Sequence, residues 1–205
     1  AKGYLAEYER YFRSKFSRRW GDWQRRCIAL RGGELPGENR EVWEGLVRQK
    51  LYFTQEELDY LWELAGFYER TGEADRVHEV YALMYQNTMA TGMFLPQNSK
   101  GMDEERKLEI LPELCMAYGH FEHTHGRDEN ALQVLDTAVE LLQKSMRMKL
   151  LRELLEERMQ IRRELWETTG AERMYQGMGA DAQNLIALDL VYGNIPKVYE
   201  RTKWL

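Results

Sequence analysis

The chain has 205 residues, of which 43% are apolar and 31% charged, with a net charge of −5. That apolar fraction supports a sizeable core and excludes a disordered polyelectrolyte. No apolar run approaches the roughly 18 residues that a membrane span needs, no signal-peptide core follows the opening AKGYLAEYER, and four prolines with few β-branched runs argue against a β-rich fold.

The charge is unevenly spread. Residues 1–31 hold nine Lys or Arg and three acids, so this stretch carries +6 and the remainder −11. A solvated helix face, or one end of a scaffold docking on its acidic other end, explains this more simply than nucleic-acid contact, because basic patches alone are weakly specific. Within the same stretch, Tyr4, Tyr8, Tyr11, Phe12, Phe16, Trp20, Trp23, Cys27 and Leu30 recur at steps of three and four. That spacing predicts one long helix over 4–30 with a wide aromatic stripe for packing.

Gly32-Gly33 and Pro36-Gly37 end this helix. A short helix is expected over 38–51, with Val42, Leu46 and Leu51 on one side. Thr54-Gln55-Glu56-Glu57 reads as a capping box that opens a helix over 55–70. From here the punctuation repeats. Gly72, Gly126 and Gly170 each follow a helical pattern and precede another. Glycine after a helix closes it in the left-handed conformation, so the pattern is helix–Gly–helix three times.

The first two repeats match the tetratricopeptide (TPR) pattern of large, small and aromatic positions around a turn glycine. Repeat one offers Leu61, Leu64, Ala65, Tyr68, Gly72, Val77, Tyr81 and Met84; repeat two offers Cys115, Tyr118, Gly119, Glu122, Gly126, Ala131, Leu135 and Ala138. Small residues are needed where the paired helices approach closely. Glu122 departs from the pattern by standing where an aromatic belongs. Repeat three departs further: Arg162 occupies the small position, and Gly177-Met178-Gly179 is expected to interrupt its second helix before Ala182–Tyr192 resumes. Gly193-Asn194 ends that helix, and Pro196 suits the first turn of a short terminal one. The glycine-free stretch between Gly126 and Gly170 reads as one very long helix or, preferred because hairpins need it, as two with a turn near Ser145–Arg147, and Pro112 either kinks the 103–123 helix or marks a fresh start. The fold expected is all-α, a TPR-like right-handed superhelix of stacked hairpins forming one array. Its parts are 1–51, repeat one over 52–92, repeat two over 93–146, and a degenerate repeat three with a cap over 147–205.

Three phrases in this order carry a family resemblance: EELDYLWELAGFYERTGEADR, RKLEILPELCMAYGHFEHTHGRDENALQVLDTAVELLQKS and SMRMKLLRELLEERMQIRRELWETTG. Together, over about residues 50–192, they resemble the C-terminal TPR-like sensor region of cytosolic helix-turn-helix transcriptional regulators from Firmicutes, especially clostridia. The wider group includes peptide-pheromone receptors. The resemblance implies a non-enzymatic, cytoplasmic sensing and dimerisation region with a peptide or protein ligand in its concave groove. It further implies a homodimer that meets DNA only through an N-terminal domain absent from this chain, with the basic first helix beside that domain. A general TPR interaction scaffold without a regulatory ligand is the alternative, and an enzyme with a site assembled from scattered residues is a third.

In a TPR the first helix of each pair lines the groove. Carried over position by position, the resemblance points to Asp59, Trp62, Gly66 and Glu69 in repeat one, Glu113, Met116, His120 and His123 in repeat two, and Gln160 and Glu164 in repeat three. Relatives grip the peptide backbone with Asn, and Asn87 and Asn184 lie in helical patterns here. Read from the residues themselves, His120, His123 and His125 cluster around Glu122, as exposed imidazoles at a helix end, as groove contacts, as a pH-sensitive contact or as half a zinc site. No nucleotide loop, GxSxG, HExxH, CxxC or DxD motif occurs, so no catalytic residue, metal or cofactor is expected. Cys27 and Cys115 fall in apolar patterns and read as buried thiols of a reducing cytosol. Adjacent carboxylates such as Glu56-Glu57 and Glu156-Glu157 point different ways on a helix and read as surface. The ten methionines read as adaptable packing.

Overall fold

A computed structural model of the chain describes residues 22–35, 37, 39–48, 53, 55–90, 100–143 and 147–205. Every regular element among these residues is helical, and none of the helices is long and apolar enough to cross a membrane. The chain divides into two compact units, Ala1–Phe94 and Leu95–Leu205.

The first unit contains α1, helical over 22–31, α2 (Asn39–Arg48), α3 (Gln55–Thr71) and α4 (Ala74–Ala90). The stripe from Tyr4 to Trp20, Leu51 and the Thr54 cap lie outside the described residues. Cys27 and Leu30 of α1 are buried, as is Leu46 of α2. On α3, Leu58, Leu61, Leu64, Ala65 and Tyr68 recur every three or four residues, and all are buried. They face Val77, Val80, Tyr81 and Met84 of α4, so the apolar periodicity gives one antiparallel hairpin. Polar ties fix α1 and α2 on it. Arg70 donates at 2.9 Å to the Leu30 carbonyl at the end of α1, which also accepts from the Gly33 amide. Arg31 meets Glu63, and Trp23 lies 5.0 Å from the Tyr60 ring. The buried Asn39 accepts from the Tyr60 hydroxyl and contacts that of Tyr68.

The second unit runs α5 (Lys100–Thr124), α6 (Asp128–Gln143), α7 (Met148–Thr169), α8 (Glu172–Val191) and α9 (Ile195–Arg201), then a 3-10 turn over Thr202–Trp204. Each helix packs on the next, and α5 also packs on α7. The stretch between Gly126 and Gly170 is therefore two helices, with Arg147 leaving helical geometry at φ −84°, ψ 58°. α5 continues through the buried Pro112, so no fresh start occurs there.

The turn glycines do what their positions require. Gly33, Gly72, Gly126, Gly170 and Gly193 all have φ between 65° and 84°. After Gly33, Gly72, Gly126 and Gly193 the chain makes the same pair of bonds. At Gly126, its own amide donates to the His123 carbonyl at 2.9 Å and the next amide, Arg127, to Glu122 at 2.8 Å. This is the Schellman closure. Gly170 differs, donating once to Trp166.

Gly177-Met178-Gly179 does not interrupt a helix: α8 is continuous from Glu172 to Val191. Gly177 belongs to packing, not to a turn. A Cβ at Gly177 would stand 2.9 Å from Cδ and Nε of Arg162. The α7/α8 pair thus carries the large residue, Arg162, on its first helix and the small one, Gly177, on its second. In the α5/α6 pair the small residue is Gly119, on the first helix, where a Cβ would stand 2.9 Å from Leu135 Cγ. Of the methionines, Met84 and Met178 are wholly buried, and Met174 is also in the core.

Candidate functional site

Four of the expected groove residues converge where α5 meets α7. His120 Nδ1 lies 2.8 Å from Glu157. His123 is held at both ring nitrogens: Nδ1 is 2.6 Å from Asp128, the first residue of α6, and Nε2 is 2.9 Å from Glu164 of α7. Gln160 donates to the other oxygen of Glu164 at 2.6 Å. About one turn before His120 on α5 Met116 is half-buried, and about two turns before it Glu113 is exposed. This face combines imidazoles, carboxylates, an amide and a thioether. Its groups can grip a peptide backbone or a basic side chain and still offer apolar contact.

Burial pushes the His123 imidazolium pKa down, but bonds to Asp128 and Glu164 and the charges of both outweigh this, so the pKa is raised above 6.5. Glu164 moves the other way. The Gln160 bond comes first, and the His123 bond and charge add to it, so its carboxyl is held below 4.5.

The remaining expected residues lie on α3 in the first unit. Asp59 and Glu69 are exposed, and Glu69 accepts from the Tyr81 hydroxyl at 3.1 Å. Trp62 is half-buried with its ring edge-on to Tyr81, the centroids 5.8 Å apart. Gly66 lies beside Arg70. Asn87 is buried and Asn184 exposed.

The histidines do not gather around Glu122. That carboxylate is wholly buried, accepting from Asn130 Nδ2 at 2.7 Å and meeting Arg127 at 3.3 Å. Residue 122 sits about 100° around the helix from 123, which turns it into the α5–α6 contact. Asn130 also donates to the Tyr118 hydroxyl, so a polar network stands where the repeat pattern has an aromatic. His125 stacks on Phe121, ring centroids 4.1 Å apart. No three His, Cys, Asp or Glu side chains among the described residues are arranged to hold a metal ion. Cys27 and Cys115 are buried free thiols, and burial is the first cause raising both pKa values.

Two ion clusters went unread in the sequence. In the first, Arg158 and Arg162 of α7 share Asp181 of α8 and Asp136 of α6. Arg158 reaches Asp181 through Nη2 at 2.5 Å and Nε at 3.3 Å, and Asp136 at 2.7 Å. Arg162 reaches Asp181 at 2.7 Å and Asp136 at 3.1 Å. In the second, Asp189 of α8 is wholly buried and accepts from Arg201 Nε at 2.6 Å. Arg152 Nε lies 3.2 Å from its other oxygen, an ion pair whose angles do not make a hydrogen bond. Burial would raise the Glu156 pKa, but its bonds to Arg201 and Lys197 lower it. The one sequence signal was the i, i+4 spacing of Arg158 and Arg162 across an otherwise apolar face. The first cluster neutralises its own charges, two arginines against two aspartates, and the second sets Arg152, Lys197 and Arg201 against Glu156 and Asp189; both tie α7 to its neighbours.

No family model, curated protein or solved structure matches the chain.

Proposed function

We propose that the chain is a non-enzymatic sensing region, a TPR-like right-handed superhelix that binds a peptide along α5 and α7. In this proposal it belongs to a cytoplasmic helix-turn-helix regulator of the clostridial type, acts as a homodimer, and meets DNA only through a domain N-terminal to it. The observation that carries the reading is the direct packing of α5 on α7, with His120, His123, Gln160 and Glu164 on their shared side. Helical repeats bind along such shared faces. A peptide bridging the two helices would favour one hairpin spacing over another, and so shift a population in an attached domain.

The test is selection of random peptides displayed on phage against the purified chain. Support is a set of binders whose affinity falls at least about tenfold (about 1.4 kcal/mol) on Met116→Ala with His120→Ala. Binders indifferent to that pair of changes contradict the reading.

A second reading, a general interaction scaffold, is favoured by the C-terminal end. Leu190, Val191, Tyr192, Ile195 and Tyr199 are all exposed, Val191 and Tyr199 to 80%. An exposed apolar patch of this kind suits a protein partner. If Val191→Glu with Tyr199→Glu abolishes self-association or partner capture while no peptide binds α5–α7, the scaffold reading replaces the first.

A further inference from the structure

His123 occupies a junction of three helices. It is on the last turn of α5, Asp128 is the first residue of α6, and Glu164 is on α7. Both ring nitrogens contact carboxylate oxygens, at 2.6 and 2.9 Å. A carboxylate only accepts, so both nitrogens must donate, and only the doubly protonated imidazolium does so. A neutral ring has one N–H. One of the two carboxylates then faces a nitrogen lone pair, and the attraction that joins the α5/α6 hairpin to α7 becomes a repulsion on one side.

We propose that His123 is a proton-operated latch between the α5/α6 hairpin and α7, closed when the ring is charged and released when it is neutral. The charged groups that face the ring are Asp128 from α6 and Glu164 from α7. Arg163 acts on Glu164, and Gln160 orients it. On the latch's own helix, His120 makes a separate contact with Glu157. It is more exposed, with 63% of its side chain open against 18% for His123, and it meets one carboxylate rather than two. The ring of His125 is turned to the Phe121 carbonyl and takes no part. Deprotonation of His123 thus acts where the two helices of the proposed binding face meet, but the latch stands whether or not a peptide binds there.

The experiment combines two measurements on the full chain. Imidazole nitrogen shifts give the protonation of His123 between pH 5 and 9. Double electron–electron resonance between nitroxides at Glu113→Cys and Glu153→Cys gives the α5–α7 spacing, the native thiols being buried. The spacing is expected to lengthen or broaden along the His123 titration. His123→Gln should hold the released distribution at every pH. Glu164→Gln should move both the ring titration and the spacing change to lower pH together, and it keeps the test open if the first variant does not fold. A spacing constant through the His123 titration overturns the latch. So does a ring that is already neutral at pH 6, or a transition that survives His123→Gln.

Discussion

Gly177 makes room for Arg162. A Cβ on residue 177 would lie 2.9 Å from Cδ and Nε, where the arginine stem joins the guanidinium that bonds Asp181, Asp136 and the Gly177 carbonyl. The stem cannot swing aside without loosening those bonds. Gly177→Ala should therefore destabilise the chain by about 1–2 kcal/mol, the overlap cost exceeding the roughly 1 kcal/mol that alanine gains in a helix. Urea unfolding midpoints check this. Placing the change on an Arg162→Ala background should reverse its sign.

The same substitution should act oppositely elsewhere. Gly126 has φ 73°, and alanine there costs roughly 1–2 kcal/mol of left-handed strain. Gly45 lies inside α2, exposed, with nothing within 4 Å of a Cβ. Gly45→Ala should stabilise its helix by about 0.5–1 kcal/mol. Thermal unfolding of the two variants side by side measures the contrast.

Asp181 is wholly buried and depends on two arginines. Arg158→Leu leaves it with one and should cost about 3–5 kcal/mol, the usual loss when one partner of a buried pair is removed. Arg158→Leu with Asp181→Leu should recover most of that loss in denaturant titrations, because no unpaired charge then remains buried.

The His123 junction gives stability a definite pH dependence. Its pKa is raised in the folded chain, so its contribution is full below 6.5 and fades as pH rises through the folded value. Glu164 is lowered, so its contribution is full above 4.5 and fades as pH falls through the folded value. Melting temperature should decline above pH 6.5 by a few degrees, and His123→Gln should flatten that limb while leaving most of the acid one.

Much of this fold was legible because its signals are local. Glycine after a periodic run fixes a helix end, and all three repeat glycines have positive φ. The terminal helix behind Gly193 followed from the same logic. Gly177 misled because sequence alone does not separate a glycine that breaks a helix from one that admits a neighbour. That neighbour, Arg162, lies on another helix. Glu122 and Asp181 were opaque for a related reason: a carboxylate is buried only if partners reach it, and Asn130, Arg127, Arg158 and Arg162 become partners through packing. His120, His123, Gln160 and Glu164 were named from the register of the resemblance; their pairing with Glu157 and Asp128 was not foreseen.

The central claim is that α5 and α7 form a binding face. The most direct measurement is amide hydrogen exchange of the chain with and without a peptide selected on it. The result expected is slowed exchange concentrated on α5 around Glu113–His123 and on α7 around Glu157–Glu164. Protection confined to α8 and α9, or to α3 and α4, would contradict the claim.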